Sequence, residues 1–143
     1  MFQGAFPYRV DDKGRLKMPA EFVSQLGDTF TITRGLGKPG FLWILPDSEW
    51  GPMVERLRGQ TLADQRTLPL QRWFIGSAVT TSLDGQGRLA IPPVLRDYAG
   101  IQHEVMVVGV GPRIELWARE RWDQYEQLMS EELIEELARD AGL

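Results

Sequence analysis

The sequence predicts an α+β chain built from two copies of one small unit, paired about a pseudo-twofold axis and flanked by short helices. Three observations predict it. The chain repeats itself at an offset of 73 residues, each copy alternates apolar runs with glycine-bearing turns, and the C-terminal stretch carries an apolar stripe at helical spacing. At that offset Asp11, Gly14, Arg15, Leu16, Pro19 and Gly27 fall on Asp84, Gly87, Arg88, Leu89, Pro92 and Gly100. These are 6 identities in 17 aligned positions, where average composition gives about one. An offset of 72 places Trp50 on Trp122, each shortly after an apolar run, Phe41 to Leu45 and Ile114 to Trp117. A unit of four short strands and two helices is too small to bury a stable core alone, so the two copies are expected to pair.

Each element follows from local chemistry. An extended segment, Ala5 to Val10 or Ala78 to Leu83, runs into a turn where Gly14 or Gly87 supplies the positive φ of a tight connection. A short strand comes next, Arg15 to Met18 or Arg88 to Ile91. Pro19 or Pro92 then opens a two-turn helix whose apolar face is Phe22, Val23 and Leu26, or Val94, Leu95 and Tyr98, and which Gly27 or Gly100 ends. Two strands joined by Gly-rich loops complete the unit: Thr29 to Thr33 with Phe41 to Leu45, and Glu104 to Val108 with Ile114 to Trp117. Asp47 is the expected N-cap of a helix through Trp50, Val54 and Leu57. The second copy ends in one longer helix from about Glu120, striped by Trp122, Tyr125, Met129, Leu133 and Leu137. The expected organisation is a first unit over 1–57, a connecting segment over 58–76 that contains Leu62, Leu68, Pro69, Leu70, Trp73 and Phe74, a second unit over 77–118 and an acidic helix over 119–143.

Composition narrows the chemistry. Hydrophobic residues make up 43% and charged residues 25%, the balance of a globular chain. Cysteine is absent and His103 is the one histidine, which removes thiol nucleophiles, disulfides and clusters of histidine ligands; no cofactor or metal is expected. No apolar run approaches the roughly 18 residues of a membrane span, and Met1-Phe2-Gln3-Gly4 lacks the basic and apolar regions of a signal peptide. A cytoplasmic location is expected. The net charge of −4 conceals an asymmetry: residues 1–72 balance at +2 and residues 73–143 at −6. Residues 119–143 hold −5 of that, which leaves a body of +1 on which a local basic surface can decide binding.

The repeated turn is the candidate site. In Asp-x-x-Gly-Arg the aspartate can accept from backbone N–H groups of its own turn or from the arginine, and so hold the arginine's planar fork in one direction. Asp11, Gly14, Asp84 and Gly87 are therefore loop-organising candidates. Arg15, beside Lys13 and Lys17, and Arg88 in the second copy suit phosphate oxygens or the O6/N7 edge of guanine. The bland alternative is a hairpin turn with an exposed Asp–Arg pair of little energetic worth, duplicated because the fold requires it.

A wider set of residues bears on that choice. Phe2-x-Gly4, Val10-Asp11-Asp12-Lys13-Gly14-Arg15-Leu16-x-Met18-Pro19, Leu83-Asp84-Gly85-Gln86-Gly87-Arg88-Leu89-x-Ile91-Pro92, Leu95-Arg96, Tyr98-Ala99 and Gly109-x-Gly111-x-Arg113-x-Glu115-x-Trp117 closely resemble the MraZ family of bacterial transcriptional regulators, from Met1 to about Trp122. The resemblance implies two AbrB-like swapped-hairpin units closing as a β-barrel, and ring-shaped homo-oligomers associated with the nucleoid. It also implies repression through double-stranded DNA, at short direct repeats upstream of the division and cell-wall gene cluster and of the regulator's own gene. Arg15 and Arg88, with Lys13, become the DNA-contacting candidates, and Asp11 and Asp84 hold the loops. Two departures stand out: Tyr8 replaces a frequent histidine, and Gln86 replaces a lysine, which implies unequal contributions from the two copies.

Rival readings rest on less. Gly35-Leu36-Gly37-Lys38-Pro39-Gly40 lacks the Gly-Lys-Ser/Thr of a P-loop, and Gly109-Val110-Gly111-Pro112 lacks the third glycine of a dinucleotide fingerprint. An enzyme using Asp11 and Asp84 as a carboxylate pair would need them convergent and one of them protonated, whereas a neighbouring arginine keeps each ionised, so no enzyme activity is expected. His103 lacks catalytic companions. The principal alternative is an AbrB-like protein-interaction module of the antitoxin type, because fold does not fix function.

Overall fold

The computed structural model describes residues 1–59 and 66–143. Leu62, part of the expected connecting segment, lies outside the described residues. The chain is α+β, with a mostly antiparallel sheet and six helices among the described residues. The first copy supplies β1 (Phe2–Arg9), β2 (Arg15–Lys17), α1 (Ala20–Leu26), β3 (Phe30–Arg34), β4 (Leu42–Pro46) and α2 (Asp47–Arg58). After α3 (Thr67–Phe74), the second supplies β5 (Val79–Thr81), β6 (Arg88–Ala90), α4 (Pro93–Ala99), β7 (Glu104–Gly111) and β8 (Ile114–Ala118). Two further helices follow, α5 (Arg119–Leu128) and α6 (Glu131–Asp140).

The strand pairings obey the repeat. Six strands lie in the order β1-β7-β8-β4-β3-β5, and β2 pairs with β6 in a separate ribbon. Exchanging the two copies turns β1–β7 into β5–β3 and β3–β4 into β7–β8, while β4–β8 and β2–β6 map onto themselves. The pseudo-twofold axis passes through the self-paired positions Trp43↔Glu115 in the sheet and Leu16↔Leu89 in the ribbon. Each copy thus lends its first strand to the other, since β1 lies against β7 and β5 against β3.

The barrel expected from the resemblance does not close. β1 and β5 are the open edges of the sheet, and only the single bridge Val10↔Leu16 links the end of β1 toward the ribbon. β2 and β6 are three residues each, too short to pair beyond one another. They seal one sheet face with side chains instead: Leu16 and Leu89 are fully buried among Phe30, Ile32, Ile44, Ile114 and Leu116, with Phe22 and Leu26 of α1 and Leu95 of α4. Period-two alternation sends the intervening residues to the other face. There Phe41, Trp43, Leu45, Met106, Val108 and Trp117 pack with Trp50, Met53 and Leu57 of α2, Leu70 and Trp73 of α3, and Trp122 and Tyr125 of α5. The sheet is therefore a middle layer, covered on both sides. Thr33 Oγ1 donates to the Phe74 carbonyl at 2.7 Å and fastens α3 to that face.

Several local expectations need correction. Asp47 does not cap α2: its Oδ2 accepts from Thr29 Oγ1 at 2.8 Å, and Pro46 stands at the cap position. Met53 joins the buried face of α2 in place of Val54. Val23 and Val94 turn outward; Phe22 and Leu26 carry the inner face of α1 as expected, and Ala99 joins Leu95 on that of α4. β1 starts at Phe2 because β7 extends to Gly111 and offers it a partner, while β5 is cut to three residues by the shorter β3. Pro69 lies in the first turn of α3, where a missing N–H costs nothing. The single C-terminal helix is two helices, parted at Met129 and Ser130, with Ser130 Oγ accepting from the Leu133 amide at 3.1 Å. α5 is held by Trp122 and Tyr125 against Trp117, whereas α6 leaves Ile134 and Leu137 each 49% exposed.

Candidate nucleic-acid interface

The two Asp–Arg turns are near copies of one another, atom for atom. Asp11 Oδ1 accepts from the Lys13 amide at 2.9 Å and the Arg15 amide at 2.8 Å, and its Oδ2 accepts from Arg15 Nε at 2.8 Å. Asp84 accepts from the Gln86 and Arg88 amides, each at 2.9 Å, and from Arg88 Nε at 2.8 Å. Gly14 and Gly87, with φ of 75° and 76°, close the turns by donating to the Asp11 and Asp84 carbonyls at 3.0 Å. A side chain would be strained at either glycine. The turns are also knitted together, because the Met18 amide donates to the Gly87 carbonyl and the Ile91 amide to the Gly14 carbonyl, both at 3.0 Å. Each turn is therefore anchored to the strand that leaves the other.

Using Nε for the aspartate leaves both Nη groups of each arginine without a protein partner among the described residues. Each arginine is an oriented fork with its outer edge open. The Arg15 and Arg88 side chains are 30% and 27% exposed, enough to reach outward while their stems stay packed. The electrostatics support the same geometry. Accepting the Arg15 amide, then its guanidinium and the Lys13 amide, holds the Asp11 carboxyl below the ordinary aspartate value of 3.8, against partial desolvation that pushes it up. The Arg88 amide is likewise the main cause at Asp84, with the Gln86 amide and the Arg88 guanidinium adding to it.

A carboxyl depressed in the folded state contributes order that is fully present above its unfolded pKa and is lost as pH falls through the lower folded value. The Lys13, Arg15, Gln86 and Arg88 amide resonances should accordingly titrate with midpoints under 3.8 in an NMR pH series. Midpoints at or above that value would mean that the turns are not organised by their aspartates.

The structure groups the basic residues in a way the repeat conceals. With Leu16 and Leu89 facing the core, alternation puts Arg15, Lys17, Arg88 and Ala90 on the outer face of the ribbon. The register sets Lys17 directly opposite Arg88, and Arg15 opposite Ala90. Lys17 belongs to the first copy in sequence, yet its cross-strand neighbour is the second copy's arginine. Pairing the repeated strands antiparallel about Leu16 and Leu89 would have found this from the sequence. Lys13 stays at the tip of the first turn, where the second has Gln86. Arg96 is a further cation, to which the sequence assigns no role. It donates to the Ile101 and Gln102 carbonyls, lies close enough to Gly14 to crowd any side chain there, and lines a shallow hollow with Lys13 and His103. Among the described residues no group of three or more His, Asp or Glu is placed to hold a metal ion.

A chain that folds two swapped-hairpin copies into one body, and sets their Asp–Arg turns at the two ends of a shared ribbon, is a tandem AbrB-like protein. The comparisons agree with that class and narrow it. The family model described as "MraZ protein, putative antitoxin-like" matches twice, over residues 1–71 and 74–143, one match for each copy. The chain is 39% identical over 140 residues to the transcriptional regulator MraZ of Natranaerobius thermophilus, covering 98% of this chain and 96% of the relative. It is 43% identical over 127 residues to that of Moorella thermoacetica, covering 87% and 86%, and 42% identical over 125 residues to that of Kineococcus radiotolerans, with the same coverage. The chain belongs to the MraZ family.

Proposed function

We propose that this chain is a sequence-specific DNA-binding transcriptional repressor. It acts as a ring-shaped homo-oligomer on short direct repeats of double-stranded DNA upstream of the division and cell-wall gene cluster, its own promoter included. The observation that carries this reading is the ribbon: Arg15 and Arg88, each held through Nε by an aspartate with both Nη groups open, share one outer face with Lys17, and Lys13 stands at the adjoining turn. An oriented guanidinium fork matches a guanine edge or a phosphate, and a lysine supplies a point charge to the backbone. The naming of the relatives as transcriptional regulators supports it. The absence of any long apolar helix among the described residues leaves no membrane-crossing helix to accommodate.

One ribbon offers few cations, so a single protomer neutralises a handful of phosphates and binds weakly. A ring that presents the same ribbon to tandem repeats gains affinity by effective concentration and reads their spacing. The direct test is a salt series of binding to a duplex from upstream of this chain's own gene. A steep fall of log K with log salt, together with preference over a random duplex, supports the reading; correctly assembled protein that binds neither duplex sinks it.

Removing residues 130–143 tests the assembly. α6 contributes no buried residue, so the shortened chain should melt within about 1 kcal/mol of the full chain. Its mass by sedimentation should drop if the exposed Ile134 and Leu137 stripe joins protomers. The same stripe favours the second reading, an antitoxin-type module that binds another protein. In that case truncation abolishes capture of the partner and leaves both mass and DNA affinity unchanged.

A further inference from the structure

We infer that the two repeated arginines do different work on DNA: Arg15 reads a base edge, and Arg88 together with Lys17 grips a backbone phosphate. The inference rests on the DNA-binding reading above and deepens it. Its ground is the pair of cross-strand neighbours on the outer face of the ribbon, Lys17 opposite Arg88 and Ala90 opposite Arg15.

Directly opposed residues of an antiparallel pair hold their Cβ atoms about 5 Å apart, and two cations so placed repel. Lys17 and Arg88 stand in that relation, and among the described residues neither has an acidic partner other than Asp84, which Arg88 engages through Nε alone. The Nη edge of Arg88 and the ammonium of Lys17 are thus two donors converging from opposite strands on a space that an anion relieves. A phosphate accepts from several directions at once and suits donors of unlike shape, a fork on one side and a point charge on the other.

Arg15 meets different surroundings. Its cross-strand neighbour is a methyl group, so no cation faces its fork from the opposite strand, and Lys17 lies two residues further along the same strand, opposite Arg88 across the ribbon. A flat guanine edge presents O6 and N7 in one plane, which a lone planar fork matches with two parallel bonds. The Ala90 methyl beside it leaves room for the base pair, which a long side chain there would obstruct. Lys13 lies at the turn tip, two residues before Arg15, where it offers a point charge suited to a phosphate rather than a fork suited to a base edge. The aspartate grip is the same in both halves, so the difference lies in what faces each arginine across the ribbon and in the turn tips, Lys13 against Gln86.

This pattern has a direction. Along the ribbon the order is Lys13, then Arg15 with Ala90, then Lys17 with Arg88, then Gln86, and the pseudo-twofold operation does not reproduce it. Each protomer is thereby suited to a site without internal dyad symmetry, in a single orientation.

The experiment compares Arg15→Lys, Arg88→Lys and Lys17→Ala with wild type on two duplexes, one from upstream of this chain's own gene and one of random sequence and equal length, across a salt series. Arg15→Lys keeps the charge and loses the fork, so discrimination between the duplexes should fall about tenfold or more with an unchanged salt slope. Arg88→Lys should keep both discrimination and slope. Lys17→Ala should weaken binding to both duplexes alike and lower the slope by about 0.9 per bound protomer. Equal loss of discrimination in Arg15→Lys and Arg88→Lys overturns the division of labour, as does a Lys17→Ala variant that alters discrimination with the slope intact. A wild type that prefers neither duplex removes the DNA reading itself, and with it this inference.

Discussion

Arg15→Ala is expected to remove most specific DNA binding while leaving the fold and the assembly intact. The substitution removes a fork whose Nη edge has no partner among the described residues, so little inside the molecule depends on it. Asp11 keeps its bonds from the Lys13 and Arg15 amides, since both come from the backbone, and the turn retains its shape. The loss at DNA is larger. One bidentate arginine contact is worth roughly 1–3 kcal/mol of discrimination, and in the proposed ring the deficit would multiply over the repeats engaged. Gel-shift titration on the upstream duplex, with circular dichroism and sedimentation as controls, should show native spectra, unchanged mass and specific affinity reduced by well over tenfold. Normal specificity in a correctly assembled mutant would move the contact elsewhere on the ribbon.

The largest effect on stability is expected at Gly109. It pairs with Gly4 where β1 crosses β7, and a Cβ on Gly109 would stand 2.5 Å from the Phe2 carbonyl carbon and closer still to the Gln3 amide nitrogen. Both atoms are backbone, so no rotamer change relieves the clash; the strands must separate. β1 would lose the partner that holds it, and Phe2 would leave its edge-on packing against Phe22 at 5.3 Å between centroids. Gly109→Ala should therefore cost about 3–5 kcal/mol in urea unfolding. Gly85→Ala, where a Cβ meets nothing within 4 Å and φ is not positive, serves as the control and should cost under about 1 kcal/mol.

What the sequence discloses depends on how far apart the interacting groups lie. The Asp–Arg turns are legible because every bond the aspartate makes spans four residues or fewer, so Asp11, Gly14 and Arg15 carry their own geometry; the bonds that knit one turn to the other are long-range and are not. The two-copy organisation is legible because duplication leaves matched letters. The swap is legible only through the family resemblance: nothing in Phe2 to Arg9 itself states that its partner is Glu104 to Gly111 rather than Phe30 to Arg34, and tertiary pairing decides it. For the same reason Lys17 reads as a companion of Arg15 until the ribbon register sets it across from Arg88. At the C-terminus the stripe from Tyr125 to Leu137 keeps a spacing of four through the break, which hid the end of α5. Ser130, a good N-cap followed by Glu131 and Glu132, was the available signal. Asp47 failed as a cap because Thr29, a long way off in sequence, competes for its carboxylate.

The exchange of first strands has a consequence for synthesis. β1 is synthesised well before its partner β7, and β3 well before its partner β5. Neither copy can complete its sheet from its own residues, so the nascent first copy emerges with apolar strands whose edges lack their partners. Such high contact order folds slowly, and unpaired edges invite association with other chains. Productive folding of the first copy is thereby deferred until β5 and β7 have been translated. A message cut short before β7 yields a fragment in which β1 has no partner strand, and proteases and chaperones meet it as unfolded chain.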